Sequence, residues 1–149
     1  MGGALIKGLA KTGLHELTIT AKTAQTLERF KAGYPALKTS LDNAEAVKGA
    51  DVIILAVKPW LVESVIAQIR ESVDFGKQVI LSVAANIFTQ TIRQQLGCDQ
   101  AKVFYVMPNI AAEYNESMTF LAPAEGVDGE LTAKMEELLK LVGKVKICK

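Results

Sequence analysis

The sequence runs to 149 residues, half of them hydrophobic and 22% charged, with a formal net charge of +1. That is enough chain for one domain with a sizeable core, and the composition excludes a disordered segment. The balanced charge, with no basic run, argues against nucleic acid or an anionic membrane as the main partner, and the longest apolar runs (residues 52–57 and 79–85) are too short to cross a bilayer.

The first thirteen residues read as a helix that opens on Gly2-Gly3 and closes on Gly13 in a left-handed cap. Ala4, Leu5, Gly8 and Leu9 share one face, and Lys7 and Lys11 another. Residues 17–20 alternate and are β-branched, which predicts a strand. Thr23 is placed to cap a helix carrying Ala24, Leu27 and Phe30 and ending near Gly33. A short edge strand is expected at Leu37-Lys38-Thr39, and a capping box formed by Asp42 with Glu45 opens a short helix that stops at Gly49.

Residues 51–57 form a continuous apolar run, expected for a parallel strand covered on both faces and ended by Lys58-Pro59. From Trp60, the positions Leu61, Val65, Ile66 and Ile69 mark an amphipathic helix. A second buried strand follows at residues 78–83, a helix at 89–96 stopped by Gly97, and a third buried strand at 103–107 stopped by Pro108. Residues 118–122 predict a further strand. Asp128 then caps a helix carrying Leu131, Met135, Leu138, Leu139 and Val142 up to Gly143, and residues 144–148 give a last strand.

Strands and helices in alternation, with near-continuous apolar strands, predict an open α/β sheet of mostly parallel strands. Ligands of such sheets bind beyond the carboxyl ends of the strands. The segments there are Ala21-Lys22-Thr23, Val57-Lys58-Pro59-Trp60, Ala84-Ala85-Asn86 and Pro108-Asn109-Ile110. Small residues, an amide and lysines suit a flat cofactor that approaches the backbone closely. Gly2 and Gly3 at a helix start would offer backbone N–H groups to a pyrophosphate; the alternative is a flexible helix start. Lys22 follows a strand about twenty residues later, where dinucleotide folds key the adenine ribose. With Thr20 and Thr23 around it and no carboxylate, it suits a 2′-phosphate; the alternative is a solvated lysine. Lys58 reads either as a charged ligand contact or as a plain strand exit, and Asn109 as an amide donor or as an Asx turn. His15 is expected at the surface. Ser82 and Ser117 have no histidine in reach, so no hydrolytic triad is supported, and neither a carboxylate pair nor a metal cluster is visible. Cys98 and Cys148 lack metal-ligand spacing and read as free thiols of a reducing compartment, which with the absence of a basic leader makes a cytoplasmic location the expectation.

Taken together, the segment from Met1 to Leu9, Ala56-Val57-Lys58-Pro59, Ser82-Val83-Ala84-Ala85 and Val106-Met107-Pro108-Asn109 resemble the cofactor domain of pyrroline-5-carboxylate reductase. The resemblance covers essentially the whole chain in order and spacing. It implies a Rossmann-like, doubly wound, mostly parallel sheet lacking the usual first strand, in one NAD(P)-binding domain over residues 1–149. It implies NADPH-dependent reduction of the cyclic imine 1-pyrroline-5-carboxylate to proline, with NADPH preferred over NADH. Gly2 would be the last glycine of the family's glycine-rich turn. Ala56, Val57, Lys58 and Pro59 would lie along the ribose and nicotinamide, Ala84 and Ala85 would flank the ring, and Asn109 would lie beside cofactor and substrate. A related imine or hydroxy-acid dehydrogenase is the alternative within enzymes, and a non-catalytic nucleotide-binding or assembly fragment is the alternative outside them.

The sequence departs from the family at three places. The first strand and first glycines are missing. Asn86 stands for the usual glycine and Ile110-Ala111 for the usual Thr-Pro, which is expected to change the loop shapes. The helical C-terminal domain, which in that family makes the dimer and much of the imino-acid pocket, is absent. The missing strand would be central to the sheet, leaving bare ladder groups and an apolar slot. The expectation is that a strand from a partner chain or a rearrangement fills the slot, or that the protein is longer. A homo-oligomer, of which a strand-exchanged dimer is one form, is favoured.

Overall fold

The computed structural model describes residues 2–148; Met1 and Lys149, and with them the first residue of the predicted helix opening, lie outside the described residues. The helices are α1 (Gly2–Thr12), α2 (Ala24–Gly33), α3 (Asn43–Val47), α4 (Val62–Ile69), α5 (Thr89–Leu96) and α6 (Gly129–Leu139). The strands are β1 (Thr18–Thr20), β2 (Lys38–Ser40), β3 (Val52–Leu55), β4 (Val79–Ser82), β5 (Lys102–Met107), β6 (Ser117–Pro123) and β7 (Gly143–Ile147). Short 3-10 turns occupy Pro59–Leu61, Ile110–Tyr114 and Lys140–Val142.

The punctuation residues act as their chemistry requires. Thr23 accepts from the Thr26 amide at the start of α2, and Asp128 accepts from the Glu130 amide at the start of α6. Gly13 and Gly97 end α1 and α5 with φ of +64° and +75°. Asp42 accepts from the amides of Ala44 and Glu45, but the capping box is only half formed: the Glu45 carboxylate pairs with Lys48 Nζ at 2.7 Å instead of reaching back.

The strands form two sheets. β1 and β2 pair in parallel, and β3-β4-β5-β6-β7 make a five-stranded sheet. β3, β4 and β5 are mutually parallel, with Val52 opposite Val79 and Val79 opposite Lys102. β6 runs antiparallel to β5, with Tyr105 opposite Ala122, and β7 is parallel to β6. The reversal has a simple cause: the β5–β6 connection holds a 3-10 turn and no crossover helix, which is too short to return the chain for a parallel neighbour. The architecture is therefore the α/β, mostly parallel sheet that the sequence predicts.

Helices cover both faces of the large sheet. Ile53, Leu55, Ile80 and Val103 pack against Val62, Ile66 and Ile92 of α4 and α5 on one side. Leu81, Phe104, Val106 and Leu121 pack against Met135 and Leu139 of α6 on the other. Helix α1 bridges the two sheets. Its Leu5 and Leu9 join Ala112 and Val142 beside the large sheet, while Ile6 and Ala10 pack on Ile19, Leu27 and Leu37 of the β1–β2 unit.

Between β1 and β3 lies a cavity of ≈ 830 Å³. Both strands line it, and Val52 and Ile54 of β3 are only partly buried there, whereas Ile53 and Leu55 are 7% and 3% exposed. This corrects the expectation that residues 51–57 are covered throughout: the strand is the shorter Val52–Leu55, and one of its flanks is open. No strand of the described chain has moved into the slot, so the expected internal rearrangement does not occur.

Candidate cofactor site

The four loops singled out in the sequence all leave carboxyl ends of strands. Ala21, Lys22 and Thr23 follow β1, with Lys22 exposed and Thr23 engaged as the α2 cap. Ala56, Val57 and Lys58 follow β3, and Pro59 opens the 3-10 turn in the position where its missing N–H costs nothing. Ala56 and Lys58 are exposed, as is Trp60 beyond them.

The start of α1 comes to the same place. A side-chain carbon at Gly2 would lie 3.0 Å from Cβ of Ala56 and 3.3 Å from its carbonyl oxygen, so glycine is what lets the helix begin against the end of β3. The amides of the first helical turn have no partner within the helix, and the helix dipole adds partial positive charge there. Gly3 is in a different situation: a Cβ at that position would lie 3.4 Å from the Phe30 ring, so its smallness serves α1–α2 packing.

After β4, Ala84 is 2% exposed and belongs to the core, while Ala85 and Asn86 are exposed. Only Ala85 of the pair therefore offers its side chain at the surface. Asn86 has φ of +63°, a conformation that glycine takes freely and that asparagine tolerates better than most residues. Asn86 thus holds a left-handed turn that a glycine at this position would also take. The loop is held from below by Tyr105, whose hydroxyl accepts from the Asn86 amide at 2.9 Å.

After β5, Asn109 makes the Asx turn: its Oδ1 accepts from the Ala111 amide at 3.0 Å, which leaves the side-chain NH₂ as a donor. Its own amide donates to Ser117 Oγ at 3.2 Å, and Ser117 is in turn bonded to Thr119. Asn115, with φ of +59°, ties this turn to α1 and to the 3-10 turn after α6 through bonds from Nδ2 to the carbonyls of Gly8 and Leu141. Tyr105, Ser117 and Asn115 are positioning residues that the sequence did not reveal, because each partner lies between 8 and 107 positions away.

The other residues weighed in the sequence divide between surface and core. His15 is exposed beyond α1, Ser82 is fully buried, and no group of three potential metal ligands occurs among the described residues. Both cysteines are free. No described helix is long and apolar enough to cross a membrane. The groups with displaced pKa values also lie elsewhere. The Glu16 carboxyl is lowered by its hydrogen bond and charge pairing with Lys38, and the Lys48 and Lys140 ammonium groups are raised by Glu45 and Glu137. All three are fully exposed and lie at the amino ends of strands.

This assembly, a glycine-opened helix start beside a strand exit with further small-residue strand exits near it, fits the diphosphate and flat rings of a dinucleotide. The comparison with known families agrees. The model of the family described as NADP oxidoreductase, coenzyme F420-dependent, matches residues 1–86, more than half of the chain. The chain belongs to that family. In family and fold it is a nicotinamide-dinucleotide oxidoreductase domain. It is 30% identical over 149 residues to a pyrroline-5-carboxylate reductase of Methanosarcina acetivorans, covering 96% of this chain and 53% of the relative. Among solved structures it is similar to a pyrroline-5-carboxylate reductase from Coxiella burnetii, with a TM-score of 0.89 and 25% identity over 99% of this chain and 55% of the other. It shares the fold of a Plasmodium falciparum pyrroline carboxylate reductase solved with NADP bound, with a TM-score of 0.85 and 19% identity over 100% of this chain and 54% of the other. The chain thus spans about half the length of the curated relatives it matches.

Proposed function

We propose that this chain is the cofactor-binding part of a reductase that converts 1-pyrroline-5-carboxylate to proline with NADPH. The observation that carries the reading is the meeting of Gly2 with Ala56, which sets an unpaired helix start against the strand exit Ala56-Val57-Lys58-Pro59. Backbone amides at Gly2 and Gly3 would meet the diphosphate. Lys22 and Thr23, with no carboxylate beside them, would take the 2′-phosphate and so favour NADPH over NADH. Ala56, Val57, Lys58 and Pro59 would run along the ribose and nicotinamide, and Ala84, Ala85 and Asn109 would border the ring.

When bound, the cofactor supplies a hydride. A protonated cyclic imine is already electrophilic, so this chain's task is orientation rather than acid–base catalysis. Tyr105 holds the Asn86 loop and Ser117 holds Asn109, each by a hydrogen bond to a backbone amide. Residues 1–149 would act as one dinucleotide-binding domain. A homo-oligomer completes the proposal, and it would cover exposed apolar side chains such as Trp60 and Ile110 near the strand exits. So does a cytoplasmic setting, where free Cys98 and Cys148 would stay reduced.

The test is NADPH oxidation by the full-length protein with 1-pyrroline-5-carboxylate as acceptor. Imine-dependent turnover, faster with NADPH than NADH, is expected. A rate at background with this imine, alongside turnover of a keto acid, would assign the domain to a hydroxy-acid dehydrogenase instead. Lys22→Ala should narrow the NADPH-to-NADH affinity ratio by about tenfold, the loss of one charge-assisted contact.

A further inference from the structure

The proposed site is assembled from distant parts of the chain, the start of α1 and the turn that carries Asn109. Within its turn Asn109 is fixed, since its Oδ1 accepts from the Ala111 amide at 3.0 Å. A helix offers no ladder to a neighbouring segment, so what fixes the turn against α1 is side-chain chemistry. Part of it is apolar: Leu5 and Leu9 pack with Ala112, and a Cβ at Gly8 would lie 2.1 Å from the Ala112 carbonyl oxygen. Such contact sets the separation of the two segments but is non-directional, and it leaves their register to polar groups.

Three side chains supply that direction. Lys7 Nζ meets Glu113 Oε1 at 3.1 Å, and Lys11 Nζ donates to the Glu113 carbonyl beside the Tyr114 ring. Both lysines are long. Lys11 is exposed, and the Lys7 and Glu113 side chains are 41% and 32% exposed, where an ion pair holds geometry weakly. Asn115 differs in each respect. It is short and half-buried, and its Nδ2 donates at 2.9 Å to the Gly8 carbonyl within α1 and at 2.8 Å to the Leu141 carbonyl. Leu141 belongs to the 3-10 turn that ends α6, where carbonyls lack a helical donor. Asn115 itself closes the Ile110–Tyr114 turn in the left-handed conformation, so one side chain joins the end of that turn to two helical segments.

We propose that Asn115 is the positioning residue for hydride transfer: it sets the Asn109 side chain against the α1 start, and so against a dinucleotide whose diphosphate is held there. The inference rests on the reading of the site given above and adds the residue that sets its geometry. Loss of the Asn115 side chain leaves the amides of Gly2 and Gly3 and the strand exits untouched, so cofactor affinity should persist. The Asn109 end should lose its register, and a displacement of about 1 Å is enough to slow such a transfer by about a hundredfold.

The test compares Asn115→Gly, Asn115→Asp and Lys7→Ala in the full-length protein. Glycine accepts the left-handed backbone and removes only the side chain, while aspartate keeps the size and removes both donors. Both Asn115 variants should lower single-turnover NADPH oxidation per bound cofactor by about tenfold or more. The NADPH dissociation constant should stay within about twofold, the mark of an interaction that acts on the reacting geometry and not on binding. Lys7→Ala should leave both quantities within about twofold. The acceptor is the imine, or the keto acid if the unaltered protein turns over only that, so the substrate reading can fail without deciding the role of Asn115. A readout without cofactor is amide exchange at Ala111, Ala112 and Glu116, whose acceptors belong to Asn109 and Ala111. Asn115→Gly should speed it by about tenfold, with β4 and β5 unchanged. The proposal is overturned if the single-turnover rate of Asn115→Gly per bound cofactor stays within about twofold of the unaltered protein's. It is overturned equally if rate and affinity fall in the same proportion, as in a general loss of structure, or if exchange at those three amides is unmoved.

Discussion

The two sheets differ both in their residues and in their standing: β1 and β2 are Thr-Ile-Thr and Lys-Thr-Ser, whereas β3 and β4 are Val-Ile-Ile-Leu and Val-Ile-Leu-Ser. In β3–β7, every internal strand has a neighbour on each side, and Val103, Phe104 and Leu121 are wholly buried. In β1–β2, two strands of three residues contribute one buried side chain between them, Ile19. A two-stranded unit of that size is not stable by itself. It is held by α1, by the bond from Thr20 Oγ1 to Asn43, and by the pairing of Asn43 with Gln68 of α4. Sequence and closure go together here: the apolar strands β4 and β5 have a ladder on each side, whereas the short polar strands β1 and β2 have one ladder each. Global stability should therefore reside in β3–β7, while β1–β2 opens locally at lower cost.

The largest test strikes the closed sheet. Phe104→Ala removes a side chain with no exposure, packed among Leu81, Val106 and Met135, and should cost about 3–5 kcal/mol in denaturant unfolding. A loss below about 1 kcal/mol would mean that the core lies elsewhere. The next test strikes the bridge. A Cβ at Gly8 would lie 2.1 Å from the Ala112 carbonyl oxygen and 2.9 Å from Val142, so Gly8→Ala must push α1 away from the large sheet. A cost of about 1–3 kcal/mol is expected, accompanied by faster amide exchange in β1 and β2, because the same helix carries Ile6 and Ala10 onto them. Faster exchange in β6 alone would deny α1 its bridging role.

Ile19→Ala strikes the two-stranded unit. It should shift the global midpoint by less than Phe104→Ala, about 1–2 kcal/mol, since the site already borders a cavity. Its clear signature is local, in exchange of the β1 amides with β4 and β5 unaffected.

The same contrast explains what the sequence made legible. Strand exits, caps and glycine stops are local: Thr23, Gly97 and Asp128 each act within four residues, and all three read correctly. The family and the strand exits of the candidate site were legible because those motifs are also local. The half-formed box at Asp42, the reversed β6, the hold of Tyr105 on Asn86 and the double tie from Asn115 were not. They depend on which distant groups compete for a side chain, and spacing along the chain carries no record of that. Buried Arg93 belongs with them: its guanidinium donates to the carbonyls of Ala101 and Glu125, a pairing invisible in a helix that otherwise reads as polar.

The smallest effect is the one that best separates the two sheets. Glu16, just before β1, pairs with Lys38 of β2, and that hydrogen bond and charge hold its carboxyl below its ordinary value. A lowered folded-state pKa stabilises the fold above the ordinary carboxylate range and is lost as pH falls through the folded value. The pair is fully exposed, so its contribution is small and screened by salt. Glu16→Gln should therefore speed β1 and β2 amide exchange modestly near neutral pH and make no difference once the medium is more acidic than the folded Glu16 pKa. β4 and β5 should be indifferent at both. Equal effects on all four strands would mean that the two sheets open together, and that the cavity between them does not divide the molecule energetically.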